Sequence, residues 1–174
     1  MYFYEKIQQG SDGMEFVKSA DVVVIGGGIV GTAVLRELSK YDLKCVLLEK
    51  EPDIAIGTTK ANSAIVHGGY DAKEGSLMAK LNVLGNSLYE DLCNELSVPF
   101  KRNGSLVLSF NDEEVEHLKV LYNRGIINKV PGLAIINQEK LRELEPNVDE
   151  KAIAALHCAS AGIVSPWEFA EALI

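Results

Sequence analysis

Three glycines on a fixed spacing constrain this chain more than any other feature. Gly26, Gly28 and Gly31 follow Asp21-Val-Val-Val-Ile25, a short β-branched run, and open a stretch in which Val30, Ala33, Val34 and Leu38 recur every three or four positions. The first part reads as a strand buried on both faces of a parallel sheet, the second as a helix from about Ile29 to Lys40. Lys44-Cys-Val-Leu-Leu48 reads as the next strand and ends at Glu49. Strand, glycine turn, helix and strand make a right-handed βαβ unit. Gly26 permits the tight turn, Gly28 leaves bare backbone against a pyrophosphate, and Gly31 lets helix approach strand. The helix start would present free N–H groups and a partial positive charge to the phosphates. Glu49 stands 18 residues beyond Gly31, near the ~20 expected of an acid that accepts ribose hydroxyls. Its charge disfavours a 2′-phosphate.

The spacing implies an adenine dinucleotide and leaves FAD and NAD open. The following segment separates them. Gly57-Thr-Thr-Lys-Ala-Asn-Ser-Ala-Ile-Val-His-Gly-Gly-Tyr70 is a loop of small and polar residues where an NAD domain continues into another regular βα unit. Such a loop can lay amides and hydroxyls along the phosphates and ribityl chain of a flavin.

Beyond the loop a helix is expected from Ser76 to about Ser97, with Leu77, Leu81, Leu84, Leu88, Leu92 and Leu96 on one stripe. Residues 98–102 and 105–110 flank Asn103-Gly104 and predict a two-residue β-hairpin. Asn111 with Glu114 predicts a capped helix ending near Arg124-Gly125. Leu133–Ile136 and Ala152–His157 read as strands around a short helix from Gln138 to Leu144. Ser165-Pro166-Trp167-Glu168 marks another helix start, whose Phe169, Leu173 and Ile174 form an apolar face. The fold class is α/β: a Rossmann-like βαβ domain with a partial antiparallel α+β substrate subdomain. The expected divisions are a leader or tail over 1–20, the nucleotide portion over 21–97, part of a substrate subdomain over 98–163, and a helix returning to the first domain over 164–174.

Composition narrows the partners. Seventeen basic against 25 acidic residues give a net charge of −8, which leaves no basic footprint for nucleic acid or an anionic membrane surface. The longest apolar run, Val22–Val30, contains three glycines and falls far short of the ~20 residues that cross a bilayer. Cys45, Cys93 and Cys158 are widely spaced and odd in number, as expected of reduced, packed thiols in a cytoplasmic protein. Three separated histidines offer no metal-ligand spacing. His67, in the loop, is the candidate catalytic residue, since imidazoles serve as proton acceptors near neutral pH. His117 reads as solvated and His157 as packed; Tyr70 and Trp167 read as packing residues, and Lys101-Arg102 as an exposed hairpin end.

The runs Asp21–Gly31, Leu47-Leu-Glu-Lys50 and Asn62-Ser-Ala-Ile-Val-His-Gly-Gly-Tyr70 resemble the FAD-dependent D-amino-acid oxidase superfamily. Supporting stretches are Gly75–Lys80, Phe100–Leu108 and Ala161–Trp167. Within that superfamily the likeness points to bacterial FAD-dependent glycerol-3-phosphate dehydrogenases and the related L-2-hydroxyglutarate dehydrogenases. The resemblance implies non-covalent FAD and oxidation of a secondary alcohol by hydride transfer to the flavin. It implies glycerol 3-phosphate as substrate, with a 2-hydroxy acid as the alternative. Glu49 and Lys50 would serve the adenosine side, and Thr58, Thr59, Asn62 and Ser63 the diphosphate and ribityl part. Ser63 stands where some relatives carry a histidine, so covalent attachment there is not expected. Family members are longer, so this chain reads as an N-terminal fragment whose substrate-anchoring residues lie past Ile174. Electrons would pass to a protein, a quinone or oxygen, with the enzyme cytoplasmic or held at a membrane through that partner. The competing readings are a non-catalytic nucleotide-binding fragment and an NAD-linked dehydrogenase.

Overall fold

The computed structural model describes residues 19–174, so all but the end of the expected leader lies outside the described residues. In chain order the elements are β1 (Val22–Ile25), α1 (Ile29–Leu38), β2 (Cys45–Leu48), β3 (Ile65–Val66), α2 (Leu77–Leu96), β4 (Phe100–Lys101) and β5 (Ser105–Ser109). Then come α3 (Asp112–Ile127), β6 (Leu133–Asn137), α4 (Gln138–Leu144), β7 (Ala154–Cys158), β8 (Gly162–Val164) and α5 (Pro166–Ala172). They form two compact units. One takes the chain through Ser63 with Leu96–Val98 and Ser165–Ile174; the other takes Ala64–Glu95 and Pro99–Val164.

In the first unit β1 and β2 run parallel, Val22 opposite Cys45 and Ile25 opposite Leu48. With α1 between them they are the expected βαβ unit. Helix α1 packs on both strands and on α5. Ser165 caps α5 by accepting from the Glu168 amide, and Pro166 occupies its first turn. Phe169 and Ala170 of α5 and its C-cap Leu173 are buried, whereas Trp167 is exposed rather than packed. Two further expectations fail. Strand β1 is not buried on both faces: Val23 is exposed and Ile25 is 86% exposed. In α1 the apolar Val30 and Val34 are exposed, and the buried line runs through Thr32. Val24, on the face of β1 turned to α1, is partly buried, and Val23 and Ile25 alternate to the other face, which none of the described residues covers.

The second unit holds two three-stranded antiparallel sheets, ordered β3-β8-β4 and β5-β7-β6. The expected hairpin is absent: β4 pairs with β8, while β5 pairs with β7. A type I′ turn needs two left-handed residues, and here only Gly104 has positive φ, at 77°. Its amide donates to the Ala161 carbonyl at 3.0 Å instead of closing a turn. Strand β7 is buried on both faces. Leu156 meets Leu118 and Leu121 of α3, with Val107, Leu133 and Ile135 around them. Ala155 meets Leu141 of α4, with Leu106, Leu108 and Ile136.

Asn111 caps α3 as expected, accepting from the Glu114 amide at 3.0 Å, and Glu114 reaches back to the Phe110 amide at 2.6 Å. The helix passes through Gly125 and stops two residues later. Lys129 takes the left-handed position (φ 64°), and Val130 donates to the Gly125 carbonyl while Lys129 donates to that of Ile126, a Schellman ending. The leucine stripe of α2 is likewise misjudged. Leu77, Leu81, Leu84 and Leu88 are exposed, and the buried line is Ala79, Asn86 and Cys93.

Candidate dinucleotide site and the His67 cavity

The turn after β1 is built from contacts that side chains would prevent. Gly26 has φ +103°, which favours glycine, and its amide donates to the Leu48 carbonyl at 2.7 Å. A Cβ on Gly31 would lie 1.9 Å from the Gly26 carbonyl oxygen, so only glycine lets α1 start this close to β1. A Cβ on Gly28 would meet the Thr59 hydroxyl at 3.2 Å.

Two side chains clasp this turn. The Gly27 amide donates to Glu49 Oε2 at 2.6 Å, and the Ile29 amide donates to Thr59 Oγ1 at 2.9 Å. Glu49 Oε1 accepts from the Glu51 amide at 3.0 Å. These backbone donors, Glu51 first and Gly27 second, hold the Glu49 carboxyl below the usual glutamate range. Gly27 is a participant that the glycine spacing alone did not single out; a Cβ there would press on Ile54 at 2.8 Å. Its only sequence signal is the unbroken triplet Gly26-Gly27-Gly28.

Among the described residues the amides of Gly28, Val30 and Gly31 find no protein acceptor. Three amide donors at a helix start, flanked by a hydroxyl and a carboxylate, make an anion-binding turn beside an acceptor for sugar hydroxyls. Asn62 braces the following loop by donating to the carbonyls of Thr58 (3.3 Å) and Thr59 (2.7 Å). Thr58 and Ser63 are exposed, and Lys50 reaches outward to Glu51 at 3.5 Å. The structure therefore draws Gly26, Gly28, Gly31, Glu49 and Thr59 together, with Asn62 behind Thr59. Among the described residues Lys50, Thr58 and Ser63 make no hydrogen bond to the turn, although Lys50 acts on the Glu49 carboxyl through its amide and its charge.

His67 belongs to the second unit. It is exposed and lines a cavity of about 210 Å³ together with Tyr70, Asp71, Met78 and Asn82. Tyr70 packs as expected among Leu118, Leu156 and Val130, and burial raises its hydroxyl pKa. His117 is exposed and His157 half-buried, as expected.

A βαβ unit with a glycine turn, an acid at the end of its second strand and unpaired amides at the helix start defines the class: a dinucleotide-binding α/β protein. The family described as "FAD dependent oxidoreductase" (DAO) matches residues 21–174, and the chain belongs to it. FAD is the cofactor of that family. The chain is 53% identical over 153 residues to a glycerol 3-phosphate dehydrogenase of Caloramator mitchellensis, which covers 88% of this chain and 32% of the relative. It is 40% identical over 154 residues to the mitochondrial L-2-hydroxyglutarate dehydrogenase of Dictyostelium discoideum, with 87% and 34% covered. Among solved structures, the dithionite-reduced L-alpha-glycerophosphate oxidase of Mycoplasma pneumoniae with FAD bound superposes with TM-score 0.82 at 33% identity, over 88% of this chain and 41% of that one. The chain thus spans about a third of the length of the curated relatives it matches. No helix among the described residues is long and apolar enough to cross a membrane.

Proposed function

We propose that this chain is the nucleotide-binding part of a FAD-dependent dehydrogenase that oxidises glycerol 3-phosphate to dihydroxyacetone phosphate. The observation that carries the cofactor half is the turn itself: three unpaired amides between the Thr59 hydroxyl and the Glu49 carboxylate. The 53% identity to a glycerol 3-phosphate dehydrogenase supports the substrate half.

In this reading the amides of Gly28, Val30 and Gly31 would hold the pyrophosphate, the bare backbone at Gly28 leaves room for it, Gly26 makes the tight turn, and Gly31 lets α1 start close to β1. Glu49 accepts the adenosine ribose hydroxyls, with Lys50 beside it. Thr58, Thr59, Asn62 and Ser63 follow the diphosphate and ribityl chain. FAD, when bound, supplies the two-electron acceptor for the hydride that leaves the carbinol carbon. His67 takes the hydroxyl proton, so the alcohol loses a hydride and a proton and a ketone remains. Electrons then leave to a partner protein or a quinone, and the scattered cysteines support a cytoplasmic location.

The relatives acting on L-2-hydroxyglutarate favour a second reading, in which a 2-hydroxy acid is the substrate of the same machinery. One experiment separates them. The purified holoenzyme should show a flavin band near roughly 450 nm that bleaches anaerobically with glycerol 3-phosphate. Bleaching by L-2-hydroxyglutarate alone would transfer the assignment to the second reading. A colourless protein that binds nicotinamide would end both.

A further inference from the structure

Asn86 lies in mid-α2, 6% exposed, on the line of small residues that α2 buries. Both donors of its amide and its oxygen are engaged. Nδ2 donates to the His67 carbonyl at 3.0 Å and to the Ser160 carbonyl at 2.9 Å. Oδ1 accepts from the Arg102 guanidinium at 3.1 Å. A guanidinium can only donate, so Oδ1 must face it and the NH₂ group must face the two carbonyls. Arg102 thereby sets which way the amide points. It is itself held: it also donates to the Ser160 carbonyl, pairs with Glu90 at 3.3 Å and lies 5.1 Å over the Phe100 ring. Arg102 is exposed as expected, but the hairpin is absent and its guanidinium is held by these partners.

The bond to His67 lands on a tightly packed stretch of backbone. A Cβ on Gly68 would lie 2.3 Å from Cys158 Sγ, and Gly69 has φ +106°. The carbonyl of His67 is consequently a fixed point in a residue that lines the cavity with Tyr70, Met78 and Asn82.

We propose that Asn86, oriented by Arg102, is a positioning residue that fixes the backbone of His67 for proton abstraction. The proposal rests on the reading of His67 as the proton acceptor. Asn86→Asp is the sharpest probe: it keeps an oxygen for Arg102 and turns oxygen instead of NH₂ onto the two carbonyls. In the FAD-loaded holoenzyme, the rate of flavin reduction by glycerol 3-phosphate should fall about 10- to 100-fold, with KM changed less than about threefold. In the cofactor-free chain, deuterium uptake across residues 65–72 should rise severalfold. In a His67→Gln background, Asn86→Asp should cost less than about twofold more, because nothing is left to position.

A His67→Gln enzyme that reduces flavin at the unsubstituted rate overturns the proton-acceptor reading and this one with it. A slow His67→Gln enzyme in which Asn86→Asp costs its full factor again overturns the positioning role alone, as does unchanged rate and uptake in Asn86→Asp. Should Asn86→Asp lose its thermal transition, Arg102→Ala carries the same test. It should show the same loss of rate at steady KM, and Arg102→Lys, which keeps a donor, should restore most of it. An Arg102→Ala enzyme at full rate, or an Arg102→Lys enzyme no better than it, overturns the proposal.

Discussion

At Gly31 a single hydrogen atom decides whether helix and strand can meet. A methyl group there would have to share space with the Gly26 carbonyl oxygen, so Gly31→Ala should destabilise the fold by about 1–3 kcal/mol as an overpacking change. It should also weaken FAD binding, and thermal unfolding with a flavin fluorescence titration would check both. A midpoint equal to that of the unsubstituted chain would contradict the close approach. Glu49 carries a pH signature. Its carboxyl is held below the 4.5 usual for glutamate, chiefly by the amides of Glu51 and Gly27. A carboxylate with a lowered folded pKa adds stability that is present above its unfolded pKa and lost as pH falls through the lowered folded value. NMR titration of the Glu49 carboxyl should therefore give a midpoint under 4.5, with the Gly27 amide shift moving alongside it. A midpoint at or above that value would break the clasp. The partners of the glycine turn were legible at this scale because local spacing fixed them. The pairing of Thr59 with the Ile29 amide was not, since it joins residues 30 apart.

At the scale of elements, two helical glycines look alike in sequence and behave oppositely in the fold. Gly85 of α2 has nothing near the place of a Cβ, so Gly85→Ala should gain about 0.5–1 kcal/mol from helix propensity. A Cβ on Gly125 of α3 would lie 2.3 Å from Leu133 Cδ2 and 3.0 Å from Tyr70 Cβ. There the same propensity gain meets an overpacking cost of about 1–3 kcal/mol, and Gly125→Ala should be net destabilising. Urea midpoints for the pair would show shifts of opposite sign, and shifts of the same sign would sink the explanation. The same contrast explains why α3 was expected to stop at Gly125. A glycine near a helix end usually supplies the left-handed cap, but here Lys129 does so and Gly125 is retained for packing. Helix caps at Asn111 and Ser165 were readable because a cap is a contact over three residues.

For the whole molecule, the ranking of leucines depends on tertiary burial. Leu156 is fully buried against α3, so Leu156→Ala should cost about 2–5 kcal/mol. Leu84 belongs to the regular stripe of α2 yet is exposed, and Leu84→Ala in this chain should cost well under about 1 kcal/mol. Equal losses in chemical denaturation would mean that the α2 stripe is covered. Sequence by itself determined the βαβ unit, the glycine turn, the acid at Glu49 and the capped helix starts. Each depends on backbone sterics or hydrogen bonds that close within one local unit, so the residue types at set spacings suffice. Tertiary structure decided which strands pair, which face of α2 is buried and what Arg102 holds. Those outcomes depend on partners far along the chain: β4 pairs with β8 and β5 with β7, and only one of residues 103–104 takes the left-handed conformation a two-residue turn needs. Periodicity marks an apolar face, but only the packed neighbours determine whether that face is the one removed from water.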